Sequence, residues 1–275
     1  MSNNTKNFEV PIDEQRVVRA SVDEPMNPTS RSKVIVFIPG FKGFKDWGGW
    51  PWFCGELAKA GHRVLRLNPS MCGVGPSLDS FDEPERFAQQ TLGHDVEDLE
   101  TFLLRPEVNS DEVILLGHSR GGIVAALTAA ASSQVAGVIT MGTPDVLLRL
   151  SDEEIEEWQS RGKREVVNAR TGEVLYQQLA VLEDYLDQEE FYNAPEALAK
   201  AEVPVLAIHG EADPSVESSC ATRLLEDVDA ALARKVLIAG AGHTFGMVHP
   251  FSDPNPHAEQ LLQVITDWLQ EKWPR

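Results

Sequence analysis

The sequence contains little cysteine, few cationic residues and no long apolar run. Its 275 residues include 3 cysteines, and 24 Lys and Arg stand against 43 Asp and Glu, which gives a net charge of −19. Because phosphate recognition requires clustered Lys and Arg, this balance disfavours nucleic acid and anionic membrane surfaces as partners. The widely spaced Cys54, Cys72 and Cys220 form neither a CxxC metal motif nor a disulfide framework, and they fit a reducing compartment.

Membrane and secretion signals are also missing. No segment reaches the roughly 18 apolar residues that span a bilayer. The first ten residues, MSNNTKNFEV, have no apolar core of the signal-peptide type. We therefore expect a cytoplasmic protein that acidic residues keep in solution. With 42% apolar residues, the chain is able to bury a substantial core as one large domain or one domain with an insertion.

Short apolar runs alternate with helical patterns along the chain. The runs cover residues 34–38, 113–116, 138–141, 205–209 and 236–238. Long helices are predicted at 84–104 and 257–272, and an early antiparallel strand at 16–22. Strands that alternate with helices predict an α/β fold, with a doubly wound, mostly parallel sheet covered on both faces.

One acidic stretch interrupts this alternation. Residues 144–203 contain SDEEIEEW, a polar turn at NARTGEVL and then LAVLEDYLDQEEF, and they are too long for one crossover. We interpret 144–203 as a helical insertion or cap on a core made of 1–143 and 204–275. The other interpretation is a surface excursion with no part in the site.

A serine lies between two glycines where a strand turns into a helix. Residues 112–122 read EVILLGHSRGG, with Ser119 flanked by Gly117 and Gly121. A serine nucleophile needs a base and must stand clear of its own backbone, and a sharp turn with small neighbours provides the second condition. The G-x-S-x-G pattern is typical of a nucleophile elbow.

With this motif the chain resembles the α/β-hydrolase family, over about residues 30–275 without the insertion. The family places an acid and then a histidine after later strands. HGEADPSV at 209–216 and GAGHTF at 240–245 match these two loops. The resemblance implies Ser119 as nucleophile, His243 as base and then acid, and Asp213 as the carboxylate that orients the imidazole.

Other acids and histidines remain candidates for these roles. Glu211 shares the loop of Asp213, and Asp145 follows a strand from which some family members take their acid. His118 and His209, beside strand ends, are expected to serve packing or to support the site residues without touching the substrate. A zinc site at His243, His249 and His257 has no HExxH-type arrangement, so we expect neither a metal nor a cofactor.

The resemblance also implies an oxyanion hole made of two backbone N–H groups. Arg120 follows the nucleophile, and Phe41 occupies the matching position in the loop 39–44, which departs from the HG or HGGG form of many esterases. The side chain of Arg120 either reaches a substrate carboxylate or forms a structural ion pair. Trp47, Trp50 and Trp52 line the pocket or anchor the next helix, and Lys42 favours an anionic substrate or is simply exposed.

The function expected from these residues is hydrolysis of carboxylic esters with small to medium acyl groups. Within the family, GHSRGG and GAGHTFG look most like intracellular serine esterases, dienelactone hydrolases or prolyl-oligopeptidase-like hydrolases. The expected partner is a small-molecule ester, and the sequence leaves the oligomeric state open. The alternatives are a peptidase or thioesterase of the same fold, or a non-catalytic ligand-binding protein.

Overall fold

The computed structural model describes residues 5–28, 32–108, 110, 112–168 and 172–274. Strands and helices alternate over most of this length. In chain order the elements are β1 (Thr5–Pro11), β2 (Val17–Asp23), β3 (Val34–Ile38), α1 (Trp50–Lys59), β4 (Arg63–Asn68), α2 (Pro84–Phe87), α3 (Leu92–Leu103), β5 (Val113–His118), α4 (Arg120–Ala131), β6 (Val135–Met141), α5 (Asp152–Arg161), β7 (Lys163–Val167), β8 (Val174–Gln178), α6 (Leu179–Asp187), α7 (Ala194–Ala201), β9 (Val205–Gly210), α8 (Cys220–Arg223), β10 (Ala233–Ile238) and α9 (Pro256–Lys272).

The main sheet has eight strands within the described residues, in the order β1-β2-β4-β3-β5-β6-β9-β10. Strand β2 pairs antiparallel with β1 and β4, and the pairs from β4 through β3, β5, β6 and β9 to β10 are parallel. This architecture confirms the predicted α/β class. Parallel strands bring their carboxyl ends to one edge of the sheet, which is where such folds bind ligands.

Both faces of the central strands are buried, as their continuous apolar runs require. In β3, Ile35 and Phe37 join one core cluster while Val36 and Ile38 join the other. Successive side chains of a strand point to opposite faces, so a strand covered on both sides is apolar throughout. Helices α1 and α9 cover the first face, and α3, α4 and α7 cover the second.

The predicted helix 84–104 is two helices. Thr91 has an extended backbone, and its hydroxyl accepts the N–H of His94 at 3.1 Å, which begins α3 at Leu92. The predicted helix 84–104 runs through Thr91. In the structure Thr91 is an N-cap that separates α2 from α3. Strand β1, at the edge of the sheet, was also not predicted from the sequence pattern.

The stretch 144–203 is not purely helical. Strands β7 and β8 form an antiparallel hairpin between α5 and α6. The last helix, α7, packs on α4 through Ala197 and Leu198 and is part of the core layer. The prediction of a helical insertion over 144–203 is therefore corrected in two respects: a hairpin lies at its centre, and its final helix serves as the crossover to β9. Residues 169–171 of the predicted polar turn lie outside the described residues.

The cysteine thiols are in environments that make them unreactive. Cys54, Cys72 and Cys220 are free thiols and buried. Burial raises the pKa of Cys54 and of Cys72 to about 12, so both stay protonated near neutral pH. Among the described helices, none combines the length and the apolar composition needed to cross a membrane.

Candidate active site

Ser119 lies at the bend between β5 and α4, in a backbone conformation that is strained for any residue with a Cβ. Its φ is 52° and its ψ is −124°. The bend is held in place because the N–H of Ser119 donates to the carbonyl of Met141 at 2.8 Å. Non-glycine residues at positive φ are uncommon and cluster at functional sites. The strained bend leaves the Ser119 side chain partly exposed while its neighbours in β5 are buried.

The two glycines around Ser119 are required by close backbone contacts. A Cβ on Gly121 would lie 2.5 Å from the carbonyl oxygen of Pro39, and a Cβ on Gly117 would lie 2.5 Å from the carbonyl carbon of Gly121. Real Cβ atoms do not approach backbone atoms so closely. The tight crossing of the two chain segments therefore depends on both glycines, as the sequence motif predicts.

Asp213 and His243 are brought together by the loops that follow β9 and β10. The Nδ1 of His243 lies 2.8 Å from Oδ2 of Asp213. The Asp213 side chain is fully buried, whereas the His243 side chain is 20% exposed. Since Asp213 is a carboxylate, Nδ1 is the donor in this bond, and in the tautomer that this bond selects Nε2 is the acceptor. A histidine in this state is suited to remove a proton.

The remaining lone pairs of Asp213 are also occupied. Its Oδ1 accepts the backbone N–H groups of Ser215 at 2.8 Å and Val216 at 3.0 Å. Nε2 of His209 lies 3.2 Å from Oδ2. Burial alone would raise the pKa of Asp213, but the bonds from His209 and His243 hold it well below the usual range for aspartate. The carboxylate is thus ionised and fixed in orientation.

The two acids that competed with Asp213 for the role of orienting His243 lie elsewhere. Asp145 accepts from Nε of Arg223 and from Nη2 of Arg149, each at 2.7 Å. Burial opposes ionisation of Asp145, but the Arg223 guanidinium keeps its pKa well below the usual range. Glu211 is exposed. Of the three acids weighed from the sequence, Asp213 is the one that the structure joins to His243.

The other histidines lie in positions that support or surround the site. His118 is buried, and its Nε2 donates to the backbone carbonyl of His243 at 3.0 Å. Burial, with help from His243, lowers the pKa of His118 to about 3, so its ring stays neutral. His249 packs against the rings of Phe44 and Trp47. No group of metal-binding side chains is found within the described residues, and the zinc interpretation gains no support there.

The two expected oxyanion donors lie on either side of the elbow. Arg120 is the first residue of α4, and Phe41 lies in the loop that begins with Gly40. A Cβ on Gly40 would come within 2.9 Å of the Cβ of Ser119, so this loop lies directly against Ser119. Among the described residues, neither backbone N–H has a protein acceptor, which leaves both available to a substrate oxygen.

The Arg120 side chain forms a structural ion pair. Its Nε lies 2.9 Å from Oδ2 of Asp95, and both side chains are nearly buried. The guanidinium also lies over the ring of Phe41, 5.8 Å from its centroid. Of the two roles left open by the sequence, the structure favours the ion pair over contact with a substrate carboxylate.

Ser119 and His243 both face a cleft of about 890 Å³. Its walls come from loops at the carboxyl edge of the sheet and from the stretch 144–203. The second group includes Leu148, Arg164, Gln177, Val181 and Asp184. The excursion therefore forms part of the site and is not a remote surface feature. Within the described residues, no hydrogen bond joins the Ser119 hydroxyl to the His243 ring; such contacts often tighten only when substrate is bound.

The three tryptophans near the elbow lie away from this cleft. Trp50 is 1% exposed and packs on Phe37, 4.9 Å between ring centroids. Trp52 contacts Phe251, and Trp47 contacts His249. The prediction of Trp47, Trp50 and Trp52 as pocket residues is corrected: large aromatic rings stabilise most when buried, and these three pack helix α1 and its entry loop onto the sheet.

The contribution of the hairpin to the site was missed from the sequence, and the particular contact made by His118 was not predicted. The hairpin places Arg164 and Gln177 on the cleft wall, and His118 fixes the backbone of His243. The sequence signal for the hairpin is weak, because NARTG at 168–172 offers turn-forming residues but KREVV and VLYQQ on either side do not alternate between polar and apolar residues. The role of His118 has no sequence signal, because it depends on two loops that are 125 residues apart.

Comparisons with known proteins agree with this architecture. The model of the alpha/beta hydrolase family matches residues 35–256. The chain is 18% identical to Est1E from Butyrivibrio proteoclasticus with bound ferulic acid, with a TM-score of 0.72 over 98% of this chain and 100% of that chain. A soluble variant of monoglyceride lipase from Saccharomyces cerevisiae, in complex with a substrate analogue, is 14% identical with a TM-score of 0.74, over 100% and 98% of the two chains. Mouse alpha/beta hydrolase domain-containing protein 10 is 19% identical with a TM-score of 0.73, over 97% and 99%. The search of curated proteins gives no match.

Proposed function

The chain belongs to the alpha/beta hydrolase family, and from that premise we propose that it is a serine esterase that hydrolyses carboxylic esters of small to medium acyl groups. One observation carries the proposal: His243, held by the buried carboxylate of Asp213 at 2.8 Å, shares a cleft with Ser119 on its strained bend. A base with a fixed tautomer beside a protruding hydroxyl is the arrangement that nucleophilic acyl transfer requires.

The first half of the proposed reaction forms an acyl-enzyme. Nε2 of His243 accepts the hydroxyl proton of Ser119 while Oγ bonds to the ester carbonyl carbon. The carbonyl oxygen becomes an oxyanion, which the N–H groups of Phe41 and Arg120 stabilise. The carbon–oxygen bond to the alcohol then breaks, and the alcohol leaves with the proton from Nε2.

The second half restores the enzyme. A water molecule takes the place of the alcohol, gives its proton to Nε2 of His243 and bonds to the acyl carbon. The oxyanion hole is used again, and the acid leaves as Oγ of Ser119 recovers the proton. Asp213 stays ionised throughout and stabilises the imidazolium that forms twice in each cycle.

The size and surroundings of the cleft support a substrate of small or medium length. A volume of about 890 Å³ lies in the range of pockets that bind small organic molecules. One structural neighbour is a lipase in complex with a substrate analogue, and another holds ferulic acid. A cytoplasmic location, expected from the cysteine usage, stays a prediction.

The test is a panel of para-nitrophenyl esters, matching anilides and matching thioesters with acyl chains of increasing length. We expect ester turnover, with Ser119→Ala lowering kcat/KM by a factor of about 10⁴ or more. Ser160→Ala, on the exposed side of α5, is the matched control and keeps the activity. Cleavage of anilides without esters would indicate a peptidase, and turnover of thioesters alone a thioesterase. Activity that survives Ser119→Ala would overturn the mechanism.

A further inference from the structure

The cleft carries more positive than negative side chains although the chain as a whole is strongly acidic. The net charge is −19, yet five cationic and three acidic residues line the cleft within the described part of the chain: Lys42, Arg120, Arg149, Arg164 and Arg223, and Asp145, Asp184 and Glu217. A local excess of cations in an acidic protein focuses its field on anions that enter the cleft.

Three of these cations already have carboxylate partners. Arg120 pairs with Asp95 at 2.9 Å, and Arg149 and Arg223 share Asp145 at 2.7 Å. For Arg164 and Lys42, no carboxylate of the described residues lies within 4.0 Å. The charge that remains for a ligand is therefore concentrated in these two side chains.

The hairpin register directs Arg164 towards the cleft. Arg164 pairs with Gln177 across β7 and β8, on the same face as Val166 and Leu175. Val166 and Leu175 are buried against the core, while the alternate residue Lys163 is exposed. A position on this inward face is expected to be apolar. A cation there is costly unless something compensates its charge.

The existing contacts of Arg164 hold the guanidinium without neutralising it. Nε and Nη2 donate to the same oxygen of Gln177, at 2.9 and 2.6 Å, and the group lies 4.1 Å from the centroid of the Trp158 ring. Burial, followed by the nearby Arg120, lowers the pKa of Arg164 to about 10. The charge of Glu154 on α5 acts on Arg164 in the opposite direction, but the Glu154 carboxylate accepts the N–H and hydroxyl of Ser151 in a helix cap. The guanidinium is thus oriented and charged, with Nη1 unpaired among the described residues.

Lys42 approaches the same region from the oxyanion loop. It follows Phe41 directly, and its Nζ donates to the carbonyl of Val167 at 3.2 Å, at the end of β7. Burial and then the charge of Arg164 lower the pKa of Lys42. The acid on the same wall, Asp184, accepts a hydrogen bond from Tyr192 at 2.8 Å, and burial raises its pKa. The two cations line the same cleft, and an anion bound there would offset the effect of the Arg164 charge on Lys42.

We propose that Arg164 and Lys42 form a subsite for a carboxylate group of the substrate, so that the esters hydrolysed here are monoanions with one free carboxylate. The inference rests on the proposed esterase function and names its substrate class. A guanidinium fork presents parallel N–H donors to a carboxylate, and an ammonium adds a point charge. Hydrogen bonds to charged groups contribute enough to change kcat/KM by about tenfold or more.

The experiment compares esters that differ only in charge. One pair is the mono(para-nitrophenyl) ester of adipic acid and its methyl ester, in which the charge lies on the acyl side. The second pair is para-acetoxybenzoate and its methyl ester, in which the charge lies on the alcohol side. We expect kcat/KM of at least one anion to exceed that of its neutral partner by about tenfold. This preference should shrink as NaCl is raised to about 0.5 M.

Matched variants assign the preference to the subsite. Arg164→Gln is expected to lower the anionic-to-neutral ratio about tenfold. Lys163→Gln, one position along β7 on the exposed face, removes the same charge and should leave the ratio and the basal activity unchanged. An unchanged ratio in folded Arg164→Gln, or a preference for the neutral ester in both pairs, overturns the proposal.

A binding measurement separates this proposal from the esterase proposal. Calorimetry of the adipate monoester with Ser119→Ala protein reports affinity without turnover, and adding Arg164→Gln should raise Kd about tenfold. If no ester is cleaved but this difference remains, the esterase mechanism fails and the carboxylate subsite stands. If esters are cleaved with no charge preference and Kd does not change, the subsite fails alone.

Discussion

The two sides of the cleft are built in different ways. On the side that we propose to be catalytic, Ser119, Asp213 and His243 follow strands β5, β9 and β10, and the register of a parallel sheet fixes their positions. On the opposite side, Arg164 and Gln177 lie on a hairpin within an excursion that has its own small apolar cluster around Trp158 and Leu182.

Under the proposed function, this difference assigns catalysis to one side of the cleft and substrate choice to the other. The catalytic side depends on backbone contacts that tolerate almost no change, such as Gly121 against Pro39. The excursion side depends on side chains held by a few local contacts, such as Arg164 on Gln177 and Trp158. We therefore expect changes on the catalytic side to abolish turnover or destabilise the fold, and changes on the excursion side to alter substrate choice.

The largest expected effect comes from the base. His243→Ala should lower kcat by a factor of about 10³–10⁴, because the serine proton then has no acceptor, while the fold is kept. Steady-state kinetics and circular dichroism measure the two quantities. His257→Ala, at the start of α9 and outside the cleft wall, is the control and should retain activity. Near-normal turnover in His243→Ala would move the base elsewhere.

Two substitutions that truncate buried aromatic side chains compare the stability of the core with that of the excursion. Phe102→Ala removes a fully buried ring from the core cluster under α3 and should lower the free energy of unfolding by about 3–5 kcal/mol. Trp158→Ala opens the separate excursion cluster. It should lower the global value by less than about 1 kcal/mol and expose the excursion to proteases.

Urea unfolding and limited proteolysis measure both effects. Equal losses of global stability in the two variants would contradict the separation of the Trp158 cluster from the core.

The elbow glycines give a third test. Gly121→Ala places a Cβ 2.5 Å from the carbonyl oxygen of Pro39 and should cost up to about 3 kcal/mol of stability, together with activity. Gly55→Ala, inside α1 where a Cβ meets nothing within 4 Å, should instead stabilise by about 0.5–1 kcal/mol. Thermal unfolding of both variants measures the difference, and a tolerated Gly121→Ala would contradict the packing argument.

His118 gives a smaller effect that depends on pH. Its pKa is about 3 in the folded protein and about 6.5 when unfolded. Between these values the unfolded chain binds a proton that the folded chain does not, so stability is lost as pH falls below about 6.5. Between pH 7 and pH 5 this group contributes a loss of about 2 kcal/mol. Measured by urea unfolding, the loss of stability between pH 7 and pH 5 should be smaller by that amount in His118→Gln than in the wild type. Equal losses in the two proteins would contradict a neutral, buried ring.

The succession of buried strands along the chain, and the loops that carry Ser119, Asp213 and His243 beside the sheet, were predictable because their signals are local. The run 113–116 followed by Gly117 and Ser119 predicts both the buried strand β5 and the bend, since sterics at the bend dictate the glycines. Strand β9 and helix α9 begin close to where their apolar patterns begin. These features depend on neighbours in the chain, and the sequence shows them directly.

The substrate side was not predictable in the same way. The tryptophans at 47, 50 and 52 look equally suited to a pocket or a core, and only the packing of α1 decides between them. The partners of Arg120, Arg164 and His118 lie 25, 13 and 125 residues away in the chain. The role of a charged side chain depends on the residues that it contacts, and a single sequence does not show which residues these are.

The most direct measurement is the mass of the intact protein after reaction with a fluorophosphonate. The account predicts a single adduct, located on Ser119 by peptide mapping. It also predicts no adduct in Ser119→Ala, and much slower labelling in His243→Ala. Labelling at another residue, or an unreacted wild-type protein that is folded, would contradict the claim that Ser119 is an activated nucleophile.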